Sequence, residues 1–150
     1  MSEQSKENSI LNTLLTTLND SINGYRDAAE HADSGRFREL FQKLADDRSK
    51  VAESLRGRIS SLGGTPDSDG SLLGKTHQRF LDLKAAVTGR DDKAIINEVE
   101  RGEDYLKDKF ETAIKDVDLS PESRTAVETA YQSVRSGHDQ MSNLKHGMEA

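Results

Sequence analysis

The sequence predicts an all-helical protein, a bundle of four long helices. Three observations lead there. Apolar residues recur at alternating steps of three and four, which lines them up as one stripe on a helix. The segments carrying this period match in length, ~25–28 residues or about 40 Å at helical rise. No stretch shows the period-two alternation of a half-buried strand, and no internal repeat stands out.

The first segment carries Leu11, Leu15, Leu18, Ile22, Tyr25, Ala29 and Ala32. The second carries Phe37, Phe41, Leu44, Arg48, Val51, Leu55, Ile59 and Leu62. The third has Ile95, Val99, Gly102, Leu106, Phe110, Ala113 and Val117, and the fourth has Val127, Tyr131, Val134, His138, Met141 and Lys145. A shorter piece, Ser71 to Val87, repeats the pattern with Leu72, Thr76, Phe80, Leu83 and Val87 and reads as a crossover helix between the second and third long helices.

Breaks fall at Asp33-Ser34-Gly35, Leu62 to Gly74, Thr88 to Asp91 and Asp118 to Pro121. Ser120 is a candidate N-cap, with Pro121 at the first helical position and Glu122 in the first turn. Gly63 is a candidate C-terminal cap. Thr65 to Gly70 is polar and holds Pro66, so it is expected to be the most mobile internal stretch. Residues 1–9 read as a polar N-terminal tail and 10–147 as a single bundle domain.

Composition narrows the function. The net charge of the 150 residues is −6, and an acidic surface repels phosphate, so nucleic acid is not an expected partner. Aromatics are 5% of the chain, so aliphatic residues must build the core. Cysteine is absent, which excludes disulfides, thiol catalysis and thiolate metal sites and suits a cytoplasmic protein. No apolar run approaches a membrane span, and Met1 to Asn8 lacks the apolar region of a signal peptide.

Placing residues at 100° steps puts five polar side chains inside the stripes: Tyr25, Arg48, Glu103, Tyr131 and His138. Each lies near the middle of its helix, so in an antiparallel arrangement they would meet as one buried polar layer. Arg48 and Glu103 should pair, because a buried charge is costly alone. The plain reading of such a layer is a device that fixes helix register, with no chemistry.

A bundle invites a di-metal centre, built from inward Glu residues on two helices and Glu-x-x-His on the other two. Here no Asp or Glu stands three residues before His31, His77, His138 or His146. Asp20, Asp27 and Glu30 are expected to project away from the first stripe. Glu128 projects away as well, and Glu128-x-x-Tyr131 is the nearest remnant of the motif. Arg48 occupies a ligand's place, and a cation there opposes metal. No metal or cofactor is therefore expected. Gly70 to Thr76 resembles a phosphate loop but has one residue too few between its glycines and no preceding strand. No Ser/His/Asp nucleophilic set can be assembled. Glu100 and Glu103 have ordinary helix-surface spacing, although Glu103 points inward.

Four stretches carry a family likeness: Ile22 to Ala29 (INGYRDAA), Leu62 to Pro66 (LGGTP), His77 to Ala86 (HQRFLDLKAA) and Glu100 to Asp104 (ERGED). In this order, from about Ile10 to Leu144, the chain resembles a bacterial, mainly proteobacterial, ferritin-like four-helix-bundle family of unknown function. The resemblance implies a ferritin-like antiparallel bundle and no established activity, with an association to stress-induced relatives.

The expectation is a non-enzymatic cytoplasmic bundle that binds a protein partner or itself. The alternative is a ferritin-like metal or redox protein with an unusual ligand set around Glu103 and His138. A third reading, a small-molecule binder with the polar layer as its floor, requires a cavity there.

Overall fold

The computed structural model describes residues 3–66 and 92–149, and within them the chain is four long helices with no strand. They are α1 (Glu3–His31), α2 (Gly35–Ser61), α3 (Asp92–Ile114) and α4 (Pro121–Glu149). The crossover helix expected at Ser71 to Val87, the phosphate-loop-like stretch, the family stretch at His77 and most of Thr65 to Gly70 lie outside the described residues. The polar stretch expected as a tail is helical from Glu3. Glu7 explains part of the difference, since its side chain is buried and bonded rather than solvated.

α1 packs on α2 and α3 on α4, and the two pairs meet through α1 against α3 and α2 against α4. α2 and α3 are thus diagonal across the core. Between α1 and α2, residue numbers fall on one helix as they rise on the other: Asn12 reaches Thr65, Asn19 reaches Arg56 and Ser21 reaches Arg48.

The turns are built as the residue types dictate. Gly63 has φ +80°, its N–H donates to the Ser60 carbonyl and the Gly64 N–H to the Ile59 carbonyl, a Schellman end for α2. A side chain at Gly63 would be forced into the left-handed region that L residues avoid. The Ser120 hydroxyl accepts the Ser123 N–H at 3.3 Å, starting α4 as expected of an N-cap. At the start of α2, Ser34 makes no side-chain cap bond. Instead the Asp92 carboxylate, from the first turn of α3, accepts the N–H groups of Asp33 at 2.9 Å and Ser34 at 3.1 Å. The guanidinium of Arg124 collects carbonyls at the end of α3, those of Ile114, Asp116 and Leu119.

The core is aliphatic, with Leu11, Leu15, Leu18, Leu55, Ile59, Ile95, Val99, Leu106, Val127, Val134 and Met141 buried around Tyr25, Phe41 and Phe110. Every residue assigned to the first stripe is buried. Asp20, expected to project outward, is buried too, because Leu14 to Ile22 is covered on all sides. Val117, assigned to the third stripe, is 90% exposed, since α3 ends at Ile114 before reaching it. No described helix is long and apolar enough to cross a membrane.

Candidate functional site

The interior polar site begins with one interruption on each of two diagonal helices. In α2, Arg48 continues the seam of Phe41, Leu44, Leu55 and Ile59; in α3, Glu103 lies between Val99 and Leu106. Both side chains are almost wholly buried. The guanidinium grips the carboxylate with two bonds, Nη1 to Oε1 at 2.8 Å and Nη2 to Oε2 at 2.6 Å. This parallel fork is the strongest geometry open to the two groups. Nη1 also donates to the Ser21 hydroxyl at 2.8 Å, and Nη2 to the Val134 carbonyl at 3.4 Å. One ion pair therefore binds α2 to α3 across the diagonal and touches α1 and α4 on the way.

Gly137 on α4 makes the space. A Cβ there would come within 2.5 Å of Arg48 Nη2 and 3.4 Å of Glu103 Oε2. The Tyr25 ring lies beside the guanidinium, its centroid 5.7 Å from Cζ, and Phe41 packs on that ring at 6.1 Å. Burial works against the Arg48 charge, but Glu103 and then Tyr25 outweigh it and raise its pKa. The Tyr25 hydroxyl is pushed well above its ordinary value by burial and then by the Glu103 charge. It lies near that carboxylate but makes no bond of hydrogen-bonding geometry and stays unpartnered.

Tyr131 and His138 do not join this layer. The Tyr131 hydroxyl donates outward to Glu111 Oε2 at 2.5 Å, and this bond, with burial, raises its pKa. His138 meets Asp104 at 2.6 Å through Nε2 and Asp139 at 3.2 Å through Nδ1. Burial disfavours the imidazolium, but the two carboxylates prevail and its pKa is raised. The cause of both displacements is a seam on α4 rotated from the expected one. The buried set is Ser123, Val127, Ala130, Val134, Gly137 and Met141, with Ala130 and Gly137 where Tyr131 and His138 were expected. Small residues face in because the core beside α4 is already filled by the diagonal pair.

Sequence reasoning missed Ser21 and Gly137. Nothing distinguishes a serine or glycine that supports a buried charge from one on a surface until the partner helices are placed. A second polar knot was also missed. The Ser120 hydroxyl donates to Glu7 Oε2 at 2.7 Å, Arg58 Nε donates to the Ser123 hydroxyl at 2.8 Å, and Arg58 approaches Glu7 at 3.9 Å. Burial raises the Glu7 pKa, but the Ser123 and Ser120 hydroxyls and Arg58 more than offset it, leaving a net lowering.

At the α3–α4 seam, Glu100, Asp104 and His138 bring one ligand-type atom each within 4.8 Å of one another. Lys145 donates to Glu100 at 3.4 Å beside them. An open groove of about 790 Å³ lies between the start of α2 and the end of α4, lined by Phe37, Leu40 and Leu144 with Arg36, Glu39 and Lys43.

No curated protein matches the sequence at a significant level. Residues 6–116, most of the chain and all of α1 to α3 except a few terminal residues, match the family described as Domain of unknown function (DUF2383), and the chain belongs to that family.

Proposed function

We propose that this chain is a non-enzymatic, ferritin-like antiparallel bundle folded as one domain, and that it acts by binding a protein partner through its surface. The observation that carries this reading is the commitment of Glu103. Both of its carboxylate oxygens are held by one guanidinium, at 2.8 and 2.6 Å. A carboxylate so held has both oxygens engaged by a cation, which disfavours it as a metal ligand, and a fixed cation at the centre repels any metal brought there. The interior then serves to set helix register, a use to which buried polar groups in bundles are well suited. A ligand set around Glu103 and His138 finds no support in this geometry, because the two side chains serve different partners. A small-molecule floor finds none either around Gly137, where even one added carbon would meet Arg48 Nη2 at 2.5 Å.

The groove between α2 and α4 supports the surface reading, with Phe37, Leu40 and Leu144 at its base and charges at its rim. Such a site fits an amphipathic segment, and a cytoplasmic setting is part of the proposal. Crosslinked affinity capture tests it with three baits: the natural chain, the interior double variant Arg48→Met/Glu103→Leu, and the groove variant Leu40→Arg/Leu144→Glu. The reading expects one common protein with the first two and its loss with the third. Loss of that protein from a fully helical interior variant would assign the function to the polar layer and contradict the proposal.

A further inference from the structure

We propose that Glu100, Asp104 and His138 form a binding site for a divalent first-row metal ion, zinc by preference, on the seam between α3 and α4. Glu100 and Asp104 stand one helical turn apart on α3, so the backbone holds both carboxylates on one face. His138 faces them from α4. Their candidate ligand atoms all lie within 4.8 Å of one another. Ligands at zinc distances sit about 3.3–3.6 Å apart in a tetrahedron, so modest side-chain rotations complete the set. A fourth position is left for water.

The residue types fit the ion. Imidazole favours zinc and its neighbours over calcium or magnesium, and two carboxylates supply the charge that offsets a dication. This is not a patch of freely solvated acids. The side chains of Glu100 and His138 are each only 15% exposed, while Asp104, at 54%, leaves an entry path. Asp139 meets Nδ1 of His138 and so supports the ring from behind, as carboxylates do for metal-bound histidines. Lys145 reaches Glu100 only through a long 3.4 Å bond to Oε2, and its partly exposed side chain can swing aside from an incoming dication as the buried, doubly bonded Arg48 guanidinium cannot. Without metal the same groups satisfy one another as an ion-pair cluster, with Asp104 on Nε2. The ion takes the place of the proton between them.

The site does not depend on the functional reading above, since Glu103 takes no part. The test uses the full chain, titrated with Zn²⁺ by calorimetry and with Co²⁺ by visible absorption. One saturable equivalent is expected, with a cobalt spectrum showing nitrogen and oxygen ligation. Loss of a supporting partner of a metal ligand alone weakens affinity about 10–100-fold, so losing a ligand should cost no less. His138→Gln and Asp104→Asn should each show that loss while circular dichroism stays unchanged. His146→Gln, a histidine elsewhere, and Arg48→Met/Glu103→Leu should bind as the natural chain does. Asp104 is exposed enough that its variant is expected to fold. Absence of a saturable equivalent, or undiminished binding in a folded Asp104→Asn or His138→Gln variant, overturns the proposal.

Discussion

At the scale of single residues, Gly137 bears most directly on how the interior is held. In an ordinary helix interior, glycine to alanine gains about 1 kcal/mol. Here the added carbon would lie 2.5 Å from Arg48 Nη2. Overpacking of a filled core costs about 1–3 kcal/mol. That side of the balance should win, because two carboxylate bonds prevent the guanidinium from retreating. Gly137→Ala is therefore expected to lower the urea midpoint. In an Arg48→Met background the same change should become neutral or stabilising, since the obstructing atom is gone. A midpoint raised by Gly137→Ala in the natural background would mean that the guanidinium does not lie there. Arg48 and Glu103 were readable in the sequence because an ion interrupting an apolar period has few places to go. Gly137 and Ser21 were not, since small residues carry no such signature. Placement at 100° steps turns Tyr131 and His138 inward because Val127, Val134 and Met141 fit that seam as well as the neighbouring one, while the packing turns in Ala130 and Gly137.

At the scale of elements, the helices hold one another's ends. Asp92 of α3 accepts the N–H groups that precede α2, and Glu7 of α1 accepts the hydroxyl of Ser120 that opens α4. Glu7 gives this a pH signature. Its folded pKa lies below the ordinary value of 4.5. A group whose pKa is depressed on folding contributes stability that is fully present above its unfolded pKa, and that contribution fades as pH falls through the folded value. Glu7→Gln should thus cost about 1.5–3 kcal/mol at neutral pH, the scale of a charged hydrogen bond. The gap to the natural chain should narrow steadily below pH ~4 as Glu7 takes up its proton. Denaturation curves at neutral and acid pH measure it. A gap that is constant across that range would show that Glu7 is not charged and bonded in the fold. This knot was illegible because the first residues read as a polar tail, and the partners of Glu7 lie far along the chain, Arg58 on α2 and Ser120 and Ser123 at the start of α4. The α2 end at Gly63 and the α4 start at Ser120 were legible, because cap chemistry is local.

At the scale of the whole molecule, the helical class, the stripe of α1 and most of the stripes of α2 and α3 followed from periodicity, which depends on burial alone; Phe37, Val51 and Leu62 are only partly buried and Val117 is exposed. Which helix lies across the diagonal did not, because four amphipathic stripes can be arranged in several ways with equal cover. The Arg48 and Glu103 pair discriminates among those arrangements. It bridges diagonal helices and draws on Ser21 and the Val134 carbonyl for its remaining bonds. Held on all four helices in this way, the pair is placed to organise the bundle. The direct test is a double-mutant cycle with Arg48→Met, Glu103→Leu and the two combined, each measured by reversible urea denaturation. Each single variant should lose about 3–5 kcal/mol, because a buried charge is left without its partner, while the double variant should lose far less and can exceed the natural chain in stability. Single-variant losses that simply add in the double variant would contradict the account, since the two residues would then contribute independently.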